Sequence, residues 1–279
     1  TFRTHQLSSV TIFAMSWPWS AADSVLEAWQ AWGPDAPPPL WSSCRLRWIP
    51  QTGPTVSVGG VWAATPGGLG AHLDELSAMV GLVPSRSETT KPYLDAAFTL
   101  AGCSGYTLNE CRLTTQSTDG RLPREASIAK SDFFDRPMGS DIANRLLSAV
   151  EGRGSTSSLS LQEGGVLLDA WGGRIAETAA DETALPARQA RFLAQEFVTF
   201  NGALGDEALA VNRTWLRGLW RDLRPAASGL AYVNYIDPDL AGWERAYYGS
   251  NLARLVEVKR TYDPDDVFRF AQSLPTAVH

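Results

Sequence analysis

The sequence predicts an α+β fold in which an antiparallel sheet of about six or seven strands is backed by helices. The predicted strands alternate apolar with polar residues, a pattern that favours a sheet with one packed and one solvated face. Helical and extended segments follow one another without the regular spacing of a βαβ series. The chain has 279 residues, 44% of them hydrophobic and 19% charged, so it can bury the core of one large or two modest domains.

In the first half of the chain, alternation predicts strands, and apolar residues repeated three or four positions apart predict helices. "TIFAMSWPW" begins as a strand that ends at Pro18, and "SAADSVLEAWQAW" places Val25 and Trp29 on one helical face. "GGLGAHLDELSAMVG" does the same with Leu73 and Leu76. In chain order these elements are the strand 11–17, the helix 20–32, the strands 40–49 and 55–64, and the helix 67–81.

The second half of the chain follows the same rules and ends in a separate tail. "SDIANRLLSAVEG" repeats Ile142, Leu146 and Val150 every four residues and predicts a helix. The tail over 226–275 is predicted to run away from the sheet as a strand and two helices. In chain order the elements are the strand 124–134, the helix 140–152, the strands 164–171 and 190–200, the helix 206–223, the strand 232–236, an aromatic helix, and the helix 251–262.

The charge pattern argues against nucleic-acid and membrane partners. The net charge is -6, and no cluster of Lys and Arg forms the basic face that nucleic acids require. No apolar run approaches the ~20 residues that span a bilayer, so we expect a soluble protein, either cytoplasmic or secreted. The lack of an initial Met and of a signal-peptide pattern indicates a processed end or the edge of a fragment.

The cysteines and histidines give no metal motif. Cys103 and Cys111 either form a disulfide or remain buried thiols, because sequence alone does not give their Cα distance. A metal site is not expected, since His5, His72 and His279 are scattered and no C-x-x-C occurs.

Two glycine-rich stretches fall short of known motifs. "GCSGY" at 102–106 has Tyr106 where a nucleophile elbow needs glycine, which argues against a hydrolase. "TPGGLGAH" at 65–72 lacks G-x-G-x-x-G and a Lys-Ser/Thr pair, so we expect a turn rather than a phosphate loop.

The segment "YVNYIDPDL" at 232–240 places two phenols beside a carboxamide. On a regular strand Tyr232 and Asn234 share one face and Tyr235 points to the other, unless the turn at Asp237 swings it back. Buried phenol hydroxyls need hydrogen-bond partners. The segment is therefore either a packed aromatic core or a working site.

This segment and the residues after it resemble the C-terminal signature of the berberine-bridge-enzyme-like flavin oxidases. "YVNYIDPDL", "AYYGSNLARLVEVKRTYDPDDVF" and "QSLP" keep the order and spacing of that signature. Upstream, "AKSDFF" is similar to the family's K-S-x-Y/F strand and "DAWGGRI" to its aromatic-Gly-Gly segment. One departure is Ala187 in "DETALPAR", where the family usually has His. The resemblance covers nearly the whole chain, from about 7 to 275.

The resemblance implies the substrate-binding half of an FAD-dependent oxidase that acts on an alcohol or similar C–H/O–H group of a sugar, alkaloid or polyketide-type small molecule. Hydride would pass to flavin N5, and dioxygen would reoxidise the flavin and yield hydrogen peroxide. Residues 1–225 would bind substrate, and 226–279 would pack against an N-terminal FAD-binding half of the same or a companion chain. That half has no counterpart here, so tight FAD binding by this chain alone is not expected. The alternative is a flavin-free ligand-binding module or pseudo-enzyme of the same fold.

The resemblance also implies site residues. Tyr235 would be the catalytic base and Tyr232 the second choice, a role that requires positive charge or donors nearby to favour the phenolate. Trp171 stands where the family often has another tyrosine, and an indole is a donor only. The other assignments are Asn234, Asn251 and Tyr248 to the cofactor, and Trp171, Asp169 and Lys130 to the substrate. Without its partner the tail would expose an apolar stripe made of Trp243, Tyr247, Leu252 and Leu255.

Overall fold

One antiparallel sheet organises the fold, with seven strands in the part of the chain that the structure describes. This computed structural model describes residues 6–124, 126–156 and 162–277, so His5 and His279 lie outside it. The strands are β1 (Ser9–Trp17), β2 (Leu40–Ile49), β3 (Gly53–Trp62), β4 (Ser85–Pro92), β5 (Ala126–Phe134), β6 (Gly164–Ala170) and β7 (Phe192–Phe200). Their order is β4-β1-β3-β2-β6-β7-β5, with neighbours antiparallel throughout, which confirms the predicted fold class.

Helices cover one face of the sheet and also form most of the tail. They are α1 (Ala22–Trp32), α2 (Leu69–Val80), α3 (Tyr93–Leu100), α4 (Ser140–Gly152), α5 (Gly205–Leu223), α6 (Trp243–Tyr248) and α7 (Leu252–Tyr262). The apolar stripes of α1, α2, α4 and α5 are buried in one core with the sheet. Within the described ranges, no helix has both the length and the apolar character that crossing a membrane requires.

The two faces of the sheet differ because side chains alternate along each strand. Cys44, Leu46, Val166 and Leu168 are fully buried on the helix-packed face. We call the opposite side the open face, and much of it is polar. One cross-strand row of the open face runs Ser85, Ser16, Ser57, Arg45, Leu167, Gln195 and Ser131, and the next runs Ser87, Ala14, Gly59, Ser43, Asp169, Leu193 and Phe133.

The edge strand β4 and the helix α3 are absent from the sequence prediction. The sequence of β4, SRSETTKP, lacks the apolar alternation from which strands are predicted. It pairs along its length with β1, and its charged and hydroxyl side chains suit the exposed edge of a sheet.

A disulfide closes the turn that follows α3. Cys103 and Cys111 are bonded, with their Cα atoms 5.5 Å apart, which decides the alternative that the sequence left open. Cys44 is a free thiol on the helix-packed face, and burial raises its pKa to about 12. A thiol with so high a pKa stays protonated and inert.

Residues 231–240 form turns, so the strand predicted within them is wrong. The chain approaches the edge strand β5 where Phe133 N donates to Leu230 O at 2.9 Å. It then leaves that edge, and Tyr235 N donates to Tyr232 O at 2.9 Å, which closes a turn. We call residues 231–240 the tyrosine turn.

The tail does not expose the predicted apolar stripe. Tyr247 is only 1% exposed, because it packs with Ala231, Leu240 and Ala246, and Trp243 is partly buried against the same cluster. The exposed apolar side chains lie further along the tail, at Val258, Tyr262, Val267, Phe268 and Phe270.

Candidate functional site

The predicted site residues that meet at one end of the open face are Asp169, Trp171, Tyr232 and Tyr235. Asp169 lies near the end of β6, directly across from Ser43 on β2 and Leu193 on β7. Trp171 follows β6 immediately, and its backbone N–H donates to Arg191 O at 2.9 Å. The end of β6 therefore delivers a carboxyl and an indole to the same side of the sheet.

The aromatic side chains of the site form a continuous edge-to-face chain. Ring centroids are 4.9 Å apart for Phe133 and Trp171, 5.3 Å for Trp171 and Tyr232, and 5.1 Å for Tyr232 and Tyr235. The indole N–H of Trp171 donates to Ala187 O at 2.8 Å, which fixes the ring. Such contacts give the site a rigid, half-buried apolar wall.

The tyrosine turn places the phenols of Tyr232 and Tyr235 on the same side of the sheet, whereas a regular strand would have pointed them to opposite faces. Tyr232 N donates to Ser131 Oγ at 3.0 Å and so anchors the turn to β5. The side-chain amide of Asn234 donates to the hydroxyl of Tyr232 at 2.8 Å. Asn234 is thus placed beside the phenols, with its amide exposed at the rim of the site.

Asp169 is held in an environment that changes its acidity. Burial raises the pKa of its carboxyl above the ordinary 3.8, while a hydrogen bond from Ser43 and the charge of Arg45 oppose that rise. Gly59 pairs with Ser43 across the sheet, and a Cβ added to Gly59 would lie 3.7 Å from Nη1 of Arg45. The guanidinium therefore reaches the cross-strand row that contains Asp169.

Sequence reasoning missed Ser43 and Arg45. The alternation of side chains along β2 could have indicated them, because Ser43 and Arg45 flank the buried Cys44 and therefore point to the opposite face of the sheet from Cys44 and Leu46. Only the register of β2 with β6 shows that they face Asp169. That register joins residues far apart in the chain and cannot be read from either strand alone.

The pKa of Tyr235 is raised, which does not favour its predicted role as a base. Burial is the largest cause, followed by the negative charge of Asp169 and the neighbouring phenol of Tyr232. A base role for a phenol needs positive charge or donors that stabilise the phenolate. The structure supplies the opposite, so Tyr235 is suited to donating a hydrogen bond.

Lys130 does not lie with these residues. It points to the helix-packed face of β5, is 4% exposed, and its Nζ lies 2.5 Å from Asp237 Oδ2. Its neighbour Ser131 is the one that faces the site, since adjacent side chains on a strand point to opposite faces. We therefore no longer assign Lys130 to direct substrate binding.

Asn251 and Tyr248 are also placed away from the phenols. The amide of Asn251 is buried and donates to Ala180 O at 2.6 Å and Thr183 O at 3.0 Å, so it holds a loop. Tyr248 packs beside Tyr247, with ring centroids 6.3 Å apart, in the cluster under the tail. The structure gives neither residue a position facing the aromatic wall.

The side chains present fit the flat ring of a flavin better than its phosphates. Trp171, Tyr232 and Tyr235 offer apolar ring surface, with the amide of Asn234 at the edge. The glycine-rich loop at 67–70 opens α2 and lacks the spacing of a phosphate loop. A cavity of about 200 Å³ lies at the end of β6, and its lining includes Pro34, Trp41, Ala170, Gly172 and Arg174.

Comparison with protein families and sequences identifies relatives of this chain. A family model described as "Berberine and berberine like" matches residues 231–275, which contain the whole tyrosine turn. The chain is 29% identical over 276 residues to the uncharacterized FAD-linked oxidoreductase YgaK of Bacillus subtilis (strain 168), covering 99% of this chain and 54% of that protein. It is 30% identical over 145 residues to the reticuline oxidase of Papaver somniferum, covering 44% and 27% respectively. The chain spans about half the length of the relatives that it matches from end to end.

Solved structures share the fold. Wild-type Physcomitrella patens BBE-like 1 superposes with a TM-score of 0.82 at 24% identity, covering 100% of this chain and 56% of that one. Berberine bridge enzyme from Eschscholzia californica gives 0.79 at 22% identity, covering 96% and 55%. The segment match, the relatives along the whole chain and the shared fold together confirm the predicted resemblance to the berberine-bridge-enzyme-like proteins.

Proposed function

We propose that this chain is the substrate-binding half of an FAD-dependent oxidase that oxidises an alcohol or similar C–H/O–H group of a small molecule. The observation that carries this proposal is the placement of a half-buried carboxyl, Asp169, close enough to act on the phenol of Tyr235, whose ring packs against Tyr232. Relatives named as FAD-linked oxidoreductase and reticuline oxidase support the reaction class. A sugar, alkaloid or polyketide-type substrate fits the flat aromatic wall.

In this proposal Asp169 accepts the proton of the substrate hydroxyl. Its pKa rises from an ordinary 3.8, which brings it toward the range where a general base works near neutral pH. The pKa of Tyr235 starts at 10.0 and is raised further, so its phenol stays protonated and donates a hydrogen bond. These two pKa directions support our choice of Asp169 rather than Tyr235 as the base.

The remaining side chains bind and orient the substrate. Trp171 has its indole N–H bound to Ala187 O, so it offers ring surface rather than a hydrogen bond. The hydroxyl of Tyr232 accepts from Asn234, which fixes the direction in which it donates. FAD, when bound, would supply the two-electron acceptor, with dioxygen reduced to hydrogen peroxide.

We also propose that residues 226–279 pack against an FAD-binding half, in the same or a companion chain. The exposed apolar side chains of Val267, Phe268 and Phe270 form a surface that such a half would cover. That half would hold most of the FAD, because the described residues offer a ring wall without a phosphate loop.

The test is flavin reduction measured by stopped flow in the FAD-loaded protein that contains this chain. Asp169→Asn should lower the rate of flavin reduction by about 10²-fold or more, the scale for losing a positioned base. Tyr235→Phe should lower it less, because a hydrogen-bond donor is lost and the proton acceptor remains. Flavin absorbance of each variant should be unchanged.

Asp95→Asn is the matched control, since Asp95 is exposed on α3 away from the site. It should reduce flavin at the unaltered rate. If Asp169→Asn does the same while Tyr235→Phe is strongly impaired, the base is Tyr235 and our assignment is wrong. A protein that binds ligand but shows no flavin spectrum under any condition would favour the flavin-free module.

A further inference from the structure

The tyrosine turn lies outside the sheet and is held chiefly at Asp237, a residue that the proposed mechanism does not use. Its backbone N–H donates to the hydroxyl of Tyr247 at 2.9 Å, and its carbonyl accepts from Gln272 Nε2 at 2.8 Å. Its carboxylate accepts from Asp239 N at 2.9 Å and from Lys130 Nζ at 2.5 Å. Asp237 is 5% exposed, so these contacts are shielded from water.

Lys130 makes the contact to Asp237 that comes from the sheet. Among the described residues, Asp237 is the acid within ion-pair distance of Lys130. The ring centroid of Trp220 lies 4.8 Å from Lys130 Nζ, and the charge of Lys130 also acts on the carboxyls of Asp132 and Glu196. A lysine this deeply buried is stable only while its charge is paired.

The tyrosine turn therefore contacts the edge strand β5 on both faces of the sheet. On the helix-packed face, Lys130 holds Asp237; on the open face, the next residue, Ser131, accepts from Tyr232 N at 3.0 Å. Tyr235 lies between these two anchor points of the turn, two residues before Asp237. The position of its phenol depends on both anchors, because no strand ladder fixes this segment.

We propose that Lys130 is a positioning residue, which sets the phenol of Tyr235 against Asp169 through its ion pair with Asp237. The proposal rests on the proposed function, because it gives Lys130 a task in arranging that site. Lys130 stays on the far side of the sheet and touches no reacting atom. Loss of its charge should free the turn and misplace the phenol, while Trp171 after β6 stays fixed by its hydrogen bond to Ala187 O.

The first measurement is hydrogen–deuterium exchange by mass spectrometry on the FAD-loaded protein. Lys130→Met should speed exchange in peptides covering 228–240. The matched control is Lys91→Met, which removes the hydrogen bond from Lys91 Nζ to Thr99 Oγ1 at 2.9 Å between β4 and α3. That variant should speed exchange near 91–100 and leave the tyrosine turn protected.

The second measurement is flavin reduction as a function of substrate concentration. Lys130→Met should lower the limiting rate, but by less than the about 10²-fold expected of Asp169→Asn, because a hydrogen-bond donor is misplaced while the proposed base stays in position. The half-saturating substrate concentration should change less than the limiting rate, since Trp171 keeps its place. Lys91→Met should keep the wild-type rate, and a general loss of stability would affect both variants alike.

If Lys130→Met does not fold, a double variant in which both members of the ion pair are neutral still tests the proposal. Lys130→Met combined with Asp237→Asn removes the unpaired buried charge and keeps an acceptor for Asp239 N, so it should recover protection and part of the rate. Unchanged exchange at 228–240 in Lys130→Met would overturn the proposal, as would a released turn with a wild-type reduction rate. If the wild-type protein reduces no flavin at all, the proposed function fails, and the exchange experiment alone decides whether Lys130 holds the turn.

Discussion

At the scale of single residues, the interior beneath β5 and β7 contains more acids than bases. Lys130 and Arg224 provide two positive charges there, and Asp132, Glu196 and Asp237 provide three carboxyls. Both carboxyl oxygens of Glu196 are buried and have no hydrogen-bond partner among the described residues. A neutral Glu196 balances the charge, so we expect this side chain to be protonated in the folded protein.

This charge balance predicts how stability depends on pH. Burial raises the pKa of Asp132 to about 7 and that of Glu196 well above its ordinary value, so the folded state holds these protons more tightly than the unfolded chain. Their stabilising contribution is complete below pH ~4 and is lost as pH rises through the folded pKa values. The free energy of unfolding should therefore fall from pH ~4 towards 7, by at most about 1.4 kcal/mol per pH unit for each group.

Urea denaturation at stepped pH values measures this dependence. Glu196→Gln imitates the protonated acid and should flatten the fall in stability, whereas Glu257→Gln on the exposed side of α7 should leave it unchanged. Equal destabilisation by Glu196→Gln at every pH would mean that Glu196 is ionised in the fold.

At the scale of elements, β2 tunes the acid that β6 presents. Arg45 is partly buried, and its own pKa is lowered by burial and by Arg47, while its charge lowers the pKa of Asp169. Arg45→Met should therefore raise the pKa of Asp169, because the opposing positive charge is lost. If Asp169 is the base, the acid limb of flavin reduction against pH should move to higher pH.

The matched control for this prediction is Arg86→Met on β4, whose guanidinium is bonded to Asp74 and Glu88 on the helix-packed side. It should leave the pH profile of flavin reduction where it is in the wild type. A profile that is unmoved by Arg45→Met would show that Arg45 does not act on the titrating group.

Elements with a strong apolar pattern were predicted correctly, and elements fixed by distant contacts were not. The helix over 140–152 and the strand over 40–49 carry their own periodicity and match α4 and β2. The strand β4 has no such pattern and exists because β1 offers it an edge. The shape of the tyrosine turn depends on Lys130, which is 107 residues from Asp237, so no local pattern in the turn encodes it.

The same distinction applies to the site. Tyr232, Tyr235 and Trp171 were named from motifs, and Asp169 from the strand face that it shares with Trp171; the structure brings the four together. The motifs gave no direction for the Lys130 side chain, because one step along a strand reverses the face that a residue occupies.

At the scale of the whole molecule, the chain presents an aromatic wall and an apolar tail. We predict that this chain alone is colourless after purification, and that titrated FAD gives no saturable quenching at micromolar levels. The reason is that a ring wall without phosphate contacts leaves most of the dinucleotide in water. FAD that survives gel filtration with this chain would contradict the prediction.

The exposed tail leads to a related prediction, which concerns association with the FAD-binding half. With an FAD-binding half present, Phe268→Ser with Phe270→Ser should weaken association of the two parts, since both rings are exposed here. Tyr93→Phe, on the exposed side of α3, is the control and should leave association intact.

The strand order has a consequence for how the site comes into being. The strands of the first ninety-two residues form one block, β4-β1-β3-β2, those from 126 to 200 form another, β6-β7-β5, and β2 and β6 are the ladder that joins them. Asp169 belongs to one block, while Ser43 and Arg45 belong to the other. The acidity of Asp169 is thus a property of the joined sheet: either block folded by itself would hold the acid or its tuning groups, and never both.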